Sequence, residues 1–266
     1  MRIALAVAFG VIAAQAGAEC RIPAEPVAGL GVSYAADGTT PRAWYFDPSD
    51  IYQHGVLGDA IEGTRVRLVT PRAWNDCGVM FAFAGQDHVF EDTAPRLADF
   101  NGDGIDEVIV VRSSLTQGAQ LVVYREPTTY NETGFPDMMP MLAATPYIGQ
   151  RNRWLAPIGA ADLDGDGTME IAYIDRPHLA KTLRIVSIDG DVLAEEIAGA
   201  GFTNHRIGER DIAGGIRDCG DGPEMIVASA DWSQLVAVTY DGDTLSARQI
   251  GTDTTRPAFA KAMACQ

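Results

Sequence analysis

Downstream of residue 97 the chain is a succession of short apolar runs separated by polar, glycine-bearing breaks. The runs cover residues 108–111, 120–124 and 141–145, then 171–174, 183–188 and 192–194, then 225–228, 235–240 and 244–250. Each is too short for a packed helix and most are rich in β-branched residues, so the pattern predicts strands. Asp189-Gly190 and Asp241-Gly242 stand between consecutive runs, where Asp-Gly is a strong hairpin-turn signal. Residues 32–92 keep the same rhythm, with runs at 66–69 and 79–84. Helical periodicity is weak throughout, and 28 Gly and 14 Pro interrupt the chain at turn-like intervals, which points to an all-β protein.

The later runs form one unit repeated. Asp99, Asn101, Asp103, Gly104, Ile105 and Glu107 precede the first set, and Asp162, Asp164, Asp166, Gly167, Thr168 and Glu170 precede the second. A weaker third copy ends at Glu224; it keeps Asp218 but has Ile216 and Gly220 where the other copies carry acids. Each unit reads as a strand, an acidic loop and three further strands, which is one blade of a β-propeller. The expected fold is a small all-β propeller of about four four-stranded blades. Repeats fall at residues 97–149, 157–200 and 212–251, with a degenerate first blade at 32–93. Five blades fit if the N-terminal region holds more than one, and a strand from either terminus is expected to close the ring. No linker stands out, so residues 19–266 are expected to form a single domain.

The acidic loops suit a metal. In both good copies, oxygen-bearing side chains fall at positions 1, 3, 5 and 9, glycine at position 6 permits the bend, and position 7 offers its carbonyl, from Ile105 or Thr168. Ca²⁺ is a hard ion that takes 6–8 oxygens on a flexible loop, whereas Mg²⁺ demands a stricter octahedron, so calcium is the first choice. An EF-hand opens with the same spacing but requires a glutamate at position 12 and flanking helices. Val110 and Tyr173 stand at position 12 here, and strands follow.

An acid at position 9 running directly into a strand is similar to the FG-GAP repeat, also called the VCBS repeat, of the integrin α-subunit propeller and of many exported bacterial proteins. The resemblance covers residues 97–251 well and the first third poorly. It implies that each loop joins the first two strands of a blade and holds one calcium ion. Two sites are expected, formed by Asp99, Asn101, Asp103, Ile105 and Glu107 and by Asp162, Asp164, Asp166, Thr168 and Glu170. The third loop lacks most of the ligands.

Charge and cysteine content bear on location and partners. Arg2, an apolar stretch at residues 3–14 and the small residues Ala16 and Ala18 read as a signal peptide cleaved near Ala18, which places the protein in the periplasm or outside the cell. The apolar stretch is too short to span a bilayer. The net charge of −16 repels phosphate backbones, so neither nucleic acid nor an anionic membrane surface is an expected partner. In an oxidising compartment the four cysteines suggest two disulfides. Of the three pairings, Cys20 with Cys265 and Cys77 with Cys219 is preferred, because a closed ring brings first and last blades together.

Outside the loops the chemistry is sparse. Arg153, His178, Lys181, His205 and Arg206 lie in breaks between strands, and on a shared face they would form a basic, aromatic-flanked pocket for an anionic sugar or carboxylate. Trp44, Trp74, Trp154 and Trp232 are expected mainly to pack between blades. No nucleophile elbow, zinc-protease motif or phosphate loop occurs. The preferred expectation is a monomeric, non-enzymatic binding or scaffold module for a protein or glycan. The alternative is a glycan-active lyase or hydrolase that uses loop residues on one face.

Overall fold

A computed structural model describes residues 25–34, 41–70, 78–129, 132–133 and 137–266. The expected leader, Trp74, Cys20 and Cys77 lie outside the described residues. The described chain is almost wholly β, arranged as four antiparallel units. The first comprises β1 (Val32–Tyr34), β2 (Pro41–Ser49), β3 (Glu62–Val69) and β4 (Val79–Phe83).

In the second unit, β5 (His88–Phe90) and β6 (Arg96–Ala98) pair with successive halves of β7 (Glu107–Ser114), followed by β8 (Gly118–Tyr124) and β9 (Met141–Ala144). The third runs through β10 (Leu155–Ala161), β11 (Glu170–Asp175), β12 (Thr182–Asp189) and β13 (Val192–Ala200). In the fourth, β14 (Phe202–Thr203) and β15 (Gly215–Asp218) both pair with β16 (Pro223–Ser229), followed by β17 (Leu235–Tyr240) and β18 (Leu245–Gly251). Single residue pairs, Gly63 with Phe90 and Ala144 with Val192, join the first three units into one thirteen-stranded sheet.

Alternate side chains of each central strand serve different neighbours. Val108 and Val110 of β7 meet Tyr45, Val66, Leu68 and Met80 of the first unit. Ile109 and Val111 of the same strand pack with Ile171, Tyr173 and Val186 of the third. On the opposite side of β11, Ala172 and Ile174 meet Met225, Val227, Val236 and Val238 of the fourth. Strands buried on both faces become continuous apolar runs, and for that reason 108–111 does not alternate.

Two features depart from the sequence reading. First, the strand preceding the acidic turn is split in the second and fourth units, into β5 with β6 and β14 with β15. Second, the C-terminal segment supplies no closing strand. It forms α1 (Arg256–Met263), whose Phe259 and Ala262 cover Ile226, Ala228, Leu235 and Ala237 of the fourth unit. Its start was visible as Pro257 after Thr255, a favoured first-turn proline. Between the first and fourth units, the Gly208 N–H donates to Val56 O at 2.8 Å. A Cβ on Gly58 would sit 2.4 Å from Gly208 O, so only glycine allows that approach.

The helix also redirects the disulfide. Cys265, just beyond α1, bonds to Cys219 in the turn after β15, with Cα atoms 5.7 Å apart. The expected partners of these two residues, Cys20 and Cys77, are thereby replaced, because α1 folds back on its own unit instead of reaching the first. Peptide mapping under non-reducing conditions is expected to yield one fragment joining Cys219 to Cys265. Cys265→Ala is expected to cost about 2–4 kcal/mol of stability by freeing this loop in the unfolded chain. A fragment joining Cys265 to Cys20 would contradict the assignment.

Candidate metal centre and loop cavity

The three acidic turns occupy equivalent places. Residues 99–106 connect β6 to β7, residues 162–169 connect β10 to β11, and residues 219–222 connect β15 to β16. Each tip is exposed, while Ile105, Leu163 and the glutamates Glu107 and Glu170 are buried beneath it.

In the second turn, carboxylate oxygens of Asp162, Asp164 and Asp166 lie within 4.8 Å of one another. The backbone shapes the loop around them: Gly165 and Gly167 N–H donate to Asp162, Asp166 N–H to Asp164, and Thr168 N–H to Asp166. Gly165 and Gly167 both adopt positive φ, 81° and 92°. Glu170 accepts the Leu163 N–H at 2.7 Å. Burial pushes this carboxyl up to about 7, and repulsion from Asp164, Glu196 and Asp166 adds to the effect. Gathered negative oxygens on a glycine-permitted turn are what a hard divalent cation requires, so this donor set fits calcium.

The first turn is built alike but holds its oxygens differently. Asp99 accepts N–H groups from Gly102, Asp103 and Gly104, which keep its carboxyl below the usual range. Glu107 accepts the Phe100 N–H at 2.9 Å, and burial raises its carboxyl. Asn101 turns its amide nitrogen to Glu107 and its oxygen to Asp103 N–H, while Ile105 N–H reaches Asp103.

The third turn has changed its chemistry. Glu224 is clasped by Arg217 at 2.7 Å and Arg248 at 2.6 Å, and Cys219 ties the tip to the chain end. Asp218 caps Gly220 and Gly222 N–H groups.

Antiparallel order puts first-to-second and third-to-fourth connections at one end of each unit and second-to-third connections at the other. Consistent with this, Gly242 in the β17–β18 turn lies against Asp164, its Cβ position 3.1 Å from Oδ2. His54 and His178 lie in connections of the other kind, β2–β3 and β11–β12, and His205 lies in the loop between β14 and β15. There a cavity of about 360 Å³ is lined by His54, Val56, Asn152, Arg153, Trp154, Arg176, Pro177, His178, Leu179 and Ile207.

Of the five basic residues singled out in the sequence, Arg153 and His178 line this cavity. His205 sits behind His178, its Nδ1 3.0 Å from His178 Nε2. Trp154 is buried against both rings, nearly parallel to His178 at 6.4 Å and edge-on to His205 at 4.9 Å. Lys181 lies elsewhere, donating to Ala230 O at 2.6 Å. Arg206 also turns away, its guanidinium 3.6 Å above the Trp232 ring.

Sequence reasoning missed the opposite wall. His54 Nδ1 lies 2.5 Å from Glu91 Oε1, and the fully buried Glu91 also accepts from Ser113 at 2.6 Å. Nothing local marks these residues, because the first and second units contribute them from distant sequence positions.

Residues 99–173, spanning both good acidic turns, match the family model of the FG-GAP-like repeat. No curated protein and no solved structure matches the chain.

Burial, and then the neighbouring His205, press His178 down to about 4, and burial lowers His205 as well. A histidine with a depressed folded-state pKa destabilises the fold as pH drops through its unfolded value near 6.5 towards 4. The melting-temperature difference between wild type and His178→Gln is therefore expected to shrink as pH falls from 7 to 4. Parallel melting curves across that range would contradict the buried neutral assignment.

Proposed function

We propose that this FG-GAP-repeat chain is an exported, calcium-stabilised β-propeller that serves as a binding or scaffold module for a protein or glycan in the cell envelope. The four stacked units are its blades, and the acidic turns of the second and third blades each hold one calcium ion. The observation that carries this reading is the meeting of Asp162, Asp164 and Asp166 oxygens at the head of buried β11. Three acids in one turn repel one another, and a divalent ion relieves that repulsion while fixing the loop.

In the fourth blade the role passes to Arg217, Arg248 and the Cys219–Cys265 bond, so two ions are assigned and not three. The disulfide-linked chain end and the family match both suit a protein that works outside the cytoplasm. Binding is preferred over catalysis because the basic loop residues do not assemble as a catalytic group. His178 and His205 meet, but Lys181 and Arg206 are engaged elsewhere.

An ion bound only by the folded state stabilises it by mass action, by about 2.7 kcal/mol at a hundredfold excess over Kd. EGTA is expected to lower the melting temperature of the wild type. Asp103→Ala combined with Asp164→Ala is expected to melt at the lower temperature with or without chelator. Superimposable wild-type curves in calcium and in EGTA would sink the calcium assignment.

A further inference from the structure

We propose that the loop cavity binds a uronic acid residue of an acidic glycan, a sugar ring that carries one carboxylate and several hydroxyls. This deepens the binding-module reading and rests on it, but not on the calcium assignment.

The hydrogen-bond network fixes the protons of the His178–His205 pair. The carbonyl of Glu209 can only accept, so His205 Nε2 carries a proton and donates across 2.9 Å. His205 is neutral, which leaves Nδ1 as an acceptor. His178 must then donate from Nε2, and its Nδ1 holds a lone pair. Among the described residues no partner is found for this lone pair. On the facing wall His54 Nδ1 is held 2.5 Å from Glu91 Oε1, and Glu91 is fixed in turn by Ser113. The cavity thus carries an oriented acceptor, His178 Nδ1, locked from behind, and it calls for a ligand hydroxyl group.

Arg153 supplies the complementary charge. Both arginines line the cavity, but Asp175 clasps Arg176 through Nε and Nη2 at 2.8 and 2.9 Å. Arg153 donates to Asn152 O and has no carboxylate partner among the described residues. In a protein of net charge −16, such an arginine at a cavity wall is suited to a carboxylate from outside. At the rim, Leu179 and Ile207 are 62 % and 72 % exposed, an apolar surface for the C–H face of a sugar ring. The volume of about 360 Å³ falls within the range of small-ligand pockets. Acetate carries no hydroxyl donor for the imidazole, and a neutral sugar leaves Arg153 without a counter-charge.

The test is calorimetric titration of the intact protein in calcium with D-galacturonate and D-glucuronate, against D-galactose and acetate as controls. A uronate is expected to bind at least tenfold more tightly than galactose or acetate, and Arg153→Met is expected to remove that advantage. Because His178 is packed in the fold, the imidazoles are followed by nitrogen NMR in the wild type instead of by substitution. Uronate is expected to shift His178 Nδ1, unprotonated beforehand. Equal affinity for galactose and uronate, no uronate binding, or a proton on His178 Nδ1 would each overturn the proposal. On a glycan array, capture of neutral glycans alone would also overturn it while leaving the binding-module reading intact. No capture of any glycan, with uronate silent in the calorimeter, would count against the glycan arm of both.

Discussion

Burial of both faces of the central strands is the constraint on which the rest depends. Side chains on a strand alternate, so Val108 and Val110 answer to one neighbour while Ile109 and Val111 answer to the other. Each sheet is therefore positioned by two partners at once, and no single face can slip without stripping the next. The strand ends are left free of this packing, and the chemistry gathers there: acidic turns at one end, histidine-bearing loops at the other. Among the described residues no fifth sheet meets the last face in the series, and α1 covers it with Phe259 and Ala262.

The three acidic turns show one structural problem answered in two ways. A buried glutamate heads β7 and β11, reaching back to an N–H of its own loop. Below it the strand is fixed; above it the carboxylates need a counter-charge. In the fourth unit the corresponding Glu224 receives that counter-charge from Arg217 and Arg248, and a covalent link replaces the remaining ligation. Loss of the aspartates at the first and fifth positions and gain of the arginines and Cys219 are thus parts of one exchange.

Much of this was legible in the chain because it is local. The short apolar runs gave β8, β11, β12 and β17 nearly to the residue, and Asp189-Gly190 marks the turn where β12 passes to β13. The acidic spacing located the turns for the same reason, since every donor lies within nine residues. What escaped was set by tertiary packing. The split of the strand before β16 depends on a loop, residues 204–214, that leaves the sheet and returns. The disulfide followed a helix whose own periodicity is short and mixed. The cavity joins His54, Asn152 and His178 from three connections, and no spacing rule links them. Lys181 and Arg206 looked equivalent to His178 in sequence, but Ala230 and Trp232 claim them instead.

The contact between Gly208 and Val56 ties the fourth unit to the first. A nascent chain that has delivered only the first three units already contains His54 and His178 but not His205. Until the fourth unit emerges and its loop settles beside Gly58, the His178 ring has no neighbour to choose which of its nitrogens is protonated. A product shortened before the fourth unit would lack this tautomer-setting neighbour and would also leave Ala172 and Ile174 of β11 without the face they pack against.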